Sequence, residues 1–267
     1  MSDDSIDYAR RFGGLKRLYG AAALARFEAA HVCVVGIGGV GSWAVEALAR
    51  SAIGQITLID LDMVAESNVN RQVHALGDNF GKAKVDAMAE RIQAINPGCR
   101  VNTIEDFVAA DNLDQMLDRD FDYVIDAIDQ VRTKAAMIAW CAVHGLPVIT
   151  SGGAGGQIDP TRIEIADLAR TIQDPLLSKV RSLLRKDHDF TRDSKKKFGI
   201  PAVFSSEPLR YPENAACEEA PSLAGLNCAG FGSAVSVTAC FGLFAAGEVL
   251  RHLAFDKTDI QKLDAGE

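Results

Sequence analysis

Apolar residues alternate along the first half of the chain between short β-branched runs and segments with helical spacing. Residues 31–36 (HVCVVG) and 56–60 (ITLID) have the composition of buried strands. Residues 42–52 (SWAVEALARSA), which lie between them, place their apolar side chains on one helical face. The pattern predicts a strand, a glycine-rich turn, a helix and a second strand.

The same alternation continues to residue 152. A helix over residues 84–95 is stopped by the sequence Asn-Pro-Gly. The pattern then predicts, in chain order, a strand over 100–106, a short helix over 113–120, a strand over 123–129, a helix over 132–145 and a strand over 146–152. Alternating strands and helices predict an α/β, Rossmann-like fold with a doubly wound, mostly parallel sheet, whose ligand binds at the carboxyl ends of the strands.

After Gly156 the pattern changes. We expect a strand and turn over 157–169, a helix over 176–185 and a loop-rich region over 187–228. Residues 229–247 carry no charge, and this uncharged stretch is near the length of a membrane span. Four glycines dilute its apolarity, so we favour a buried helix. We expect one domain over residues 1–267, with a core over 8–160 and a C-terminal extension over 161–255 made of a basic, loop-rich part and the final apolar helix.

Composition narrows the function classes. The chain has 267 residues, of which 48% are hydrophobic, and its net charge is -8. An acidic total argues against non-specific nucleic-acid binding by the whole surface, but it allows a local basic patch. None of the six cysteines forms a CxxC pair, so a zinc site built from paired knuckles is not indicated. The acidic N-terminus lacks the apolar region of a secretory signal, and we expect a cytoplasmic protein.

The glycine-rich turn after the first predicted strand is a candidate phosphate-binding site. Gly36, Gly38 and Gly41 have GxGxxG spacing between a strand and a helix, where backbone N–H groups and the helix N-terminus favour a phosphate. Asp60, at the end of the next strand, is placed to hydrogen-bond ribose hydroxyls. The turn alone fits a nicotinamide dehydrogenase, another nucleotide-binding protein, or a tight turn with no ligand.

The loop after the second strand favours a triphosphate over a dinucleotide. Asn68, Arg71, Gln72 and Lys84 would face the phosphates, and the two cations would stabilise the charge of a leaving pyrophosphate; we therefore name Arg71 and Lys84 as catalytic. We add Asp62 to the expected nucleotide-binding set. A second group of acids follows the fourth predicted strand.

Those acids are Asp126 and Asp129, and Mg²⁺ binds oxygen ligands and bridges to nucleotide phosphates. We expect Asp129 to hold the metal, with Asp126 as either a further ligand or a structural acid.

These motifs together resemble a known family. The stretch GIGGVGSWAVEALARSAIGQITLIDLDMVAESNVNRQ, followed by GKAKV and DAIDQ, is similar to the ThiF/MoeB adenylating enzymes, which are relatives of the ubiquitin-activating enzymes. The resemblance implies that ATP activates a carboxylate as an acyl-adenylate. It also implies a ribose contact for Asp60, triphosphate contacts for Arg71 and Lys84, a magnesium contact for Asp129, and a homodimer.

A narrower resemblance covers nearly the whole chain. The stretches SGGAGGQIDPTRIEIADLARTIQDPLLSKVRSLLRK and GIPAVFSSEP are similar to the branch of the family that acts on tRNA, the threonylcarbamoyladenosine dehydratases. This resemblance implies ATP-dependent dehydration, with ring closure, of the threonylcarbamoyl side chain of threonylcarbamoyladenosine. It also implies cysteine desulfurase or sulfur-acceptor proteins as possible partners.

A basic cluster independently suggests a nucleic-acid contact. Eight basic and three acidic residues lie between Lys179 and Lys197, in a chain that is acidic overall. The alternative is a solvated loop. The expected tRNA contacts are Arg181, Arg185, Lys186, Lys195, Lys196 and Lys197.

Two rival functions stay open from sequence. One is adenylation of the C-terminus of a ubiquitin-like sulfur carrier protein, in which Cys217 or Cys228 could take part. The other is a non-catalytic nucleotide-binding scaffold for sulfur-transfer partners. We interpret Cys33, Cys141 and Cys240 as packing residues, and His74 and His188 as surface or loop residues.

Overall fold

We describe a computed structural model of the chain over residues 7–211 and 231–255. Seven strands form one sheet in the order β3-β2-β1-β4-β5-β7-β6. All pairings are parallel except that of β6 with β7. The strands are β1 (His31–Val35), β2 (Gln55–Ile59), β3 (Arg100–Ile104), β4 (Tyr123–Asp126), β5 (Val148–Ser151), β6 (Ile163–Asp167) and β7 (Pro201–Ser205). The predicted α/β, doubly wound fold is confirmed.

Helices cover both faces of the sheet. The helices are α1 (Tyr8–Tyr19), α2 (Ala21–Ala29), α3 (Gly41–Arg50), α4 (Lys84–Ile95), α5 (Leu113–Leu117), α6 (Val131–His144), α7 (Pro175–Asp187) and α8 (Val235–Ala254). One core joins α2, α3, α4 and α8 to the sheet, and a second core joins α5, α6 and α7 to it. Because parallel strands are covered on both faces, they are apolar along most of their length.

Two parts of the architecture differ from the sequence-based expectation. The region expected to be loop-rich, 187–228, contains strand β7, which lies between β5 and β6 and is buried at four of its five positions. A five-residue strand that starts at a proline and is flanked by loops gives little periodic signal, since an inner strand is apolar on both faces. Helices α1 and α2 were not predicted either; two adjacent glycines interrupt the first, and the second has only nine residues.

The final apolar helix lies against the sheet and against α3. Helix α8 is the one helix among the described residues that is long and apolar enough to cross a membrane, and half of its most apolar stretch is buried inside the protein. Phe241 and Val249 on this helix are fully buried in the first core. This packing agrees with the predicted buried helix.

Candidate functional site

The predicted nucleotide residues surround one cavity of about 440 Å³ at the carboxyl edge of the sheet. The turn after β1, the loops after β2, β3, β4 and β5, and the start of α8 contribute to its wall. Nine of the ten predicted nucleotide-binding residues line it: Gly36, Gly38, Asp60, Asp62, Asn68, Arg71, Gln72, Lys84 and Asp129. The expectation that the ligand site lies at the carboxyl ends of the strands therefore agrees with the geometry.

Gly41, the remaining predicted nucleotide-binding residue, does not line the cavity but packs against the turn. A Cβ atom at Gly41 would lie 1.8 Å from the backbone oxygen of Gly36, so only glycine allows α3 to begin this close to the turn. Gly36 itself has φ of +87° and lies against the backbone of Ala127, after β4. The two glycines thus keep the turn tight and join it to the loop that carries Asp129.

Asp60 fixes the turn before any ligand is considered. Its Oδ2 accepts a hydrogen bond from the backbone N–H of Ile37 at 2.6 Å, and its Oδ1 accepts one from the N–H of Asp62 at 2.8 Å. A carboxylate can accept about four hydrogen bonds. Asp60 therefore orders the glycine turn and keeps acceptor positions for further donors.

Lys84 is a buried cation at the first residue of α4. Its Nζ lies 2.6 Å from Oδ2 of Asp62 and 3.8 Å from Oδ1 of Asp60. The side chain of Lys84 is 7% exposed, whereas that of Asp62 is 74% exposed. The geometry places Asp62 as the ion-pair partner of Lys84, and a phosphate group that reaches this ammonium would compete with Asp62 for it.

Arg71 packs against the glycine turn. Its Nη1 donates hydrogen bonds to the backbone oxygen of Ser67 and to Oδ1 of Asn70, at 2.8 and 2.9 Å. Its aliphatic stem lies where a Cβ atom of Gly39 would be, and its own backbone oxygen accepts a hydrogen bond from the indole of Trp43. These contacts orient the guanidinium along the cavity wall.

The two acids after β4 have different environments. Strand β4 ends at Asp126, so Asp129 stands in the following loop and lines the cavity. Asp126 is fully buried, pairs with Nζ of Lys134 at 2.8 Å and accepts a hydrogen bond from Thr150 at 2.7 Å. Burial raises the pKa of Asp126, and Lys134 and Thr150 oppose that shift. Asp126 therefore has the geometry of a structural acid, and Asp129 that of a group free to meet a ligand.

Sequence reasoning did not assign the loop after β5. Residues 152–155 form one wall of the cavity. Asp174, the N-cap of α7, accepts a hydrogen bond from the N–H of Gly153 at 2.9 Å, and a Cβ atom at Gly152 would lie 1.9 Å from its Oδ2. The glycine-rich run SGGAGG directly after a predicted strand was the available signal for this loop.

The start of α8 also reaches the cavity. Ser233 and Thr238 line it, although they lie more than 75 residues after the other wall residues of the sheet loops. No local pattern in the sequence marks this contact, since it depends on how α8 packs across the sheet. Together with residues 152–155, they form an uncharged part of the wall, whereas Arg71 and Lys84 belong to a charged part.

The basic cluster divides into held and exposed side chains. The guanidinium of Arg185 lies over the ring of Phe198, 5.1 Å from its centre, and Arg181 donates a hydrogen bond to Thr171. The exposed members are Lys179, Lys186, Arg192, Lys195, Lys196 and Lys197. Helix α7 begins one residue before Leu176, which lines the cavity, so this basic surface leads away from the site.

The expectation that His74 is a surface or loop residue holds only for the loop: it lies in a loop but not at the surface. It is 1% exposed, and neither ring nitrogen has a hydrogen-bond partner. Burial, with Lys84 and Arg91 nearby, lowers the pKa of His74 to about 4. His188 lies in the loop position expected for it, at the C-cap of α7.

The cysteines that the structure describes are packing residues. Cys33 and Cys141 are fully buried, and Cys240 is half-buried. Burial raises the pKa of Cys141 to about 12, and it also raises the pKa of Cys33, so neither forms a thiolate at neutral pH. Cys217 and Cys228 lie outside the described residues. Those described residues contain no group of three or more metal-binding side chains.

Comparison with known proteins agrees with the resemblance drawn from the motifs. The ThiF family model matches residues 8–263. A tRNA threonylcarbamoyladenosine dehydratase of Haemophilus influenzae is 54% identical over 253 residues, which cover 94% of this chain and 96% of the relative. The crystal structure of the E. coli tRNA N6-threonylcarbamoyladenosine dehydratase, TcdA, in complex with ATP is 53% identical, covers 93% of this chain and 96% of that chain, and superposes with a TM-score of 0.85. A complex of the same E. coli enzyme with AMP matches with the same identity, coverage and TM-score. This chain belongs to the ThiF family.

Proposed function

We propose that this protein is a tRNA threonylcarbamoyladenosine dehydratase, which uses ATP to remove water from the threonylcarbamoyl side chain of the modified adenosine and closes it into a ring. The observation that carries the proposal is the 54% identity to an enzyme of that name over almost the full length of both chains. The cavity supports it, because a glycine turn, two cations and a free carboxylate meet at one edge of the sheet.

The first step activates the carboxylate of the side chain. One carboxylate oxygen attacks the α-phosphorus of ATP, the bond from that phosphorus to the bridging oxygen breaks, and pyrophosphate leaves. Arg71 and Lys84 would stabilise the charge on the departing phosphates, because preformed cations in a water-poor site act most strongly where charge develops. The AMP complex of the E. coli relative supports an adenylate over a phosphate intermediate.

The second step closes the ring. The carbamoyl oxygen or nitrogen of the same side chain attacks the acyl carbon, AMP leaves with both electrons of the carbon–oxygen bond, and a carbamoyl N–H proton passes to solvent. The original carboxylate oxygen leaves on AMP, so the net change is the loss of water. Because both reacting groups belong to one side chain, the attack is intramolecular and needs no thiol.

Magnesium fits the charged side of the cavity. Asp129 lines the cavity, and the structure assigns its carboxylate neither a hydrogen bond nor an ion pair with any described residue. One protein carboxylate together with phosphate oxygens is a common magnesium environment. When bound, the ion would neutralise phosphate charge. Asp129 would hold it.

The exposed basic surface is the proposed contact with the tRNA backbone. Lys186, Lys195, Lys196 and Lys197 are exposed and lie beside Arg185 on or after α7, whose first turn borders the cavity. We assign Arg181, through its bond to Thr171, to shaping this surface as well as to phosphate contact. A positive patch on an acidic protein favours one orientation of an RNA.

The proposed function also includes a second copy of this chain and sulfur-transfer proteins as partners. We propose a cytoplasmic homodimer, supported by the exposed apolar side chains of Leu61, Met63, Val69 and Leu76 beside the cavity loops. Light scattering after gel filtration tests the dimer. A cysteine desulfurase or sulfur-acceptor partner is proposed from the family resemblance, and co-purification from cells tests it.

The decisive experiment follows tRNA nucleosides and AMP. The purified protein, incubated with ATP and tRNA that carries threonylcarbamoyladenosine, should yield a nucleoside lighter by one water in mass spectrometry, with one AMP per product. An unchanged nucleoside would overturn the substrate, and AMP formation with a ubiquitin-like carrier protein instead would favour the rival enzymatic function.

A matched pair of lysine variants tests the site. Lys84→Met should lower kcat by roughly 10²-fold or more, because a cation at the leaving phosphates is lost. Lys82→Met removes a lysine two residues away that pairs with Glu90 on the surface, and it should leave kcat unchanged. Equal activity of the two variants would contradict the assignment of Lys84.

A further inference from the structure

Two buried polar groups on the cavity wall have no partner in the protein. Oε1 of Gln72 and Oγ1 of Thr238 are buried and take part in no hydrogen bond. The two residues are only 6% and 3% exposed, so solvent does not readily supply a partner. Leaving such a group unpaired in the protein interior is unfavourable. Both residues line the cavity, so a ligand that enters it can supply the missing partners.

The position of the two residues places them near the phosphates. Nε2 of Gln72 lies 4.0 Å from the position of a Cβ atom on Gly38, in the glycine turn. Thr238 stands one helical turn before Gly242, where α8 approaches the backbone oxygen of Val40 at the start of α3. Both side chains therefore lie at the phosphate end of the cavity, where the carboxylate that attacks ATP must also lie.

The chemistry of the unpaired Gln72 oxygen excludes phosphate as its partner, whereas the hydroxyl of Thr238 can both donate and accept. The amide oxygen of Gln72 is an acceptor only, and phosphate oxygens at neutral pH are acceptors as well. The group that satisfies Oε1 must carry an N–H or O–H. The ribose hydroxyls are assigned to Asp60, whereas the threonylcarbamoyl side chain brings a hydroxyl and carbamoyl N–H groups to this end of the cavity.

We propose that Gln72 and Thr238 bind the threonylcarbamoyl group, with Oε1 of Gln72 accepting a hydrogen bond from its N–H or O–H donors and the hydroxyl of Thr238 completing the subsite. The inference rests on the proposed function and adds a substrate role to the nucleotide role predicted for Gln72. The wall formed by residues 152–155 is uncharged and carries no side chain larger than a methyl group, so it offers no charge that competes with this subsite.

Thr238→Val separates a substrate contact from a structural one. The change keeps the shape and removes only the hydroxyl. We expect a KM for the modified tRNA about tenfold higher, because one hydrogen bond to the substrate is lost. The Kd for ATP, measured by calorimetry in the absence of tRNA, should be unchanged, and the melting temperature of the ligand-free protein should be equal or higher, because the unpaired hydroxyl is gone.

Thr238→Ser keeps the hydroxyl and should recover most of the KM effect that Thr238→Val shows. Gln72→Met, which is close in volume, should lower kcat/KM by about tenfold or more. Wild-type kinetics in Thr238→Val, or a weaker Kd for ATP in that variant, would overturn the inference while the proposed function stands. No conversion of modified tRNA by the wild-type protein would overturn both.

Discussion

Lys84 illustrates how a single side chain is prepared at this site. A buried ammonium needs a counter-charge, and Asp62 supplies it from a largely exposed position. Because the acid is exposed and the lysine is not, the acid can turn to solvent when a phosphate arrives while the lysine stays in place. The motif GKAKV predicted that Lys84 would matter, but the pairing with Asp62 depends on the loop conformation and could not be inferred from spacing.

His74 gives a pH prediction at the same scale. Its pKa is lowered to about 4 from 6.5, so the folded protein cannot take up a proton that the unfolded chain binds below pH 6.5. The free energy of unfolding should therefore be unaffected by His74 above pH 6.5 and should fall as the pH drops towards 4, by at most about 3 kcal/mol.

Denaturant titrations between pH 7 and pH 4 measure this effect. His74→Leu should flatten the pH dependence, because the titrating ring is absent. His144→Gln, which removes an exposed ring stacked on Trp140, serves as the control and should keep the wild-type profile. A His74→Leu profile parallel to wild type would show that other groups cause the acid sensitivity.

The predictions for single residues agree with the structure where those residues belong to one contiguous sequence motif. Gly36, Asp60 and Arg71 belong to contiguous motifs, and the cavity brings them together as expected. Thr238 and the burial of His74 were missed, because both follow from the packing of distant elements and leave no mark in the surrounding pattern.

At the scale of elements, α8 shows why an apolar stretch does not by itself indicate a membrane span. Gly242 permits a close approach: a Cβ atom at this position would lie 2.3 Å from the backbone oxygen of Val40 and 2.8 Å from the nitrogen of Ala44. The helix therefore approaches the first turn of α3 at backbone distance. That turn follows directly after Gly36 and Gly38 of the cavity wall, so α8 supports the glycine turn from behind.

Gly242→Ala should accordingly lower the free energy of unfolding by about 1–3 kcal/mol, because the added methyl group meets backbone that cannot move aside. Gly247→Ala provides a control on the same helix, since no atom lies within 4 Å of its Cβ position. That change should raise stability by about 0.5–1 kcal/mol through helix propensity. Chemical denaturation compares the two, and equal effects would show that α8 does not depend on this close approach.

Strand β7 shows what local patterns in the sequence do not predict. Strand β7 is short and inserted between β5 and β6 by a chain that first passes through α7, so its order in the sheet is a long-range property. The strands and helices from β1 to β5 were predicted because each βα unit has its own local periodicity. Their ends still shifted by a few residues, most visibly at β4, which ends before Asp129.

At the scale of the whole molecule, charge distribution decides how an acidic protein binds an RNA. The net charge of -8 repels a polyanion at long range, and the exposed lysines after α7 are the local exception. Binding of tRNA should weaken steeply with salt. The slope of log K against log salt measures how many phosphates are neutralised.

The triple change Lys195→Gln, Lys196→Gln and Lys197→Gln should reduce that slope by about two to three units, at roughly 0.7–0.9 per phosphate contact. Filter binding between about 50 and 200 mM salt measures it. Lys16→Gln on α1 is a control with the same charge change per residue and should leave the slope unchanged. A triple variant with the wild-type slope would place the tRNA on another surface.

The buried pair of Asp126 and Lys134 has a consequence for how this protein can diverge over time. Loss of either partner alone would strand an uncompensated charge in a fully enclosed position, at a cost of about 3–5 kcal/mol. The two residues can therefore be replaced only together, for example by a matched apolar pair. A protein with only one of the two substitutions would lose much of its stability. Related sequences should show these positions as co-varying, which gives a signature readable from an alignment without any structure.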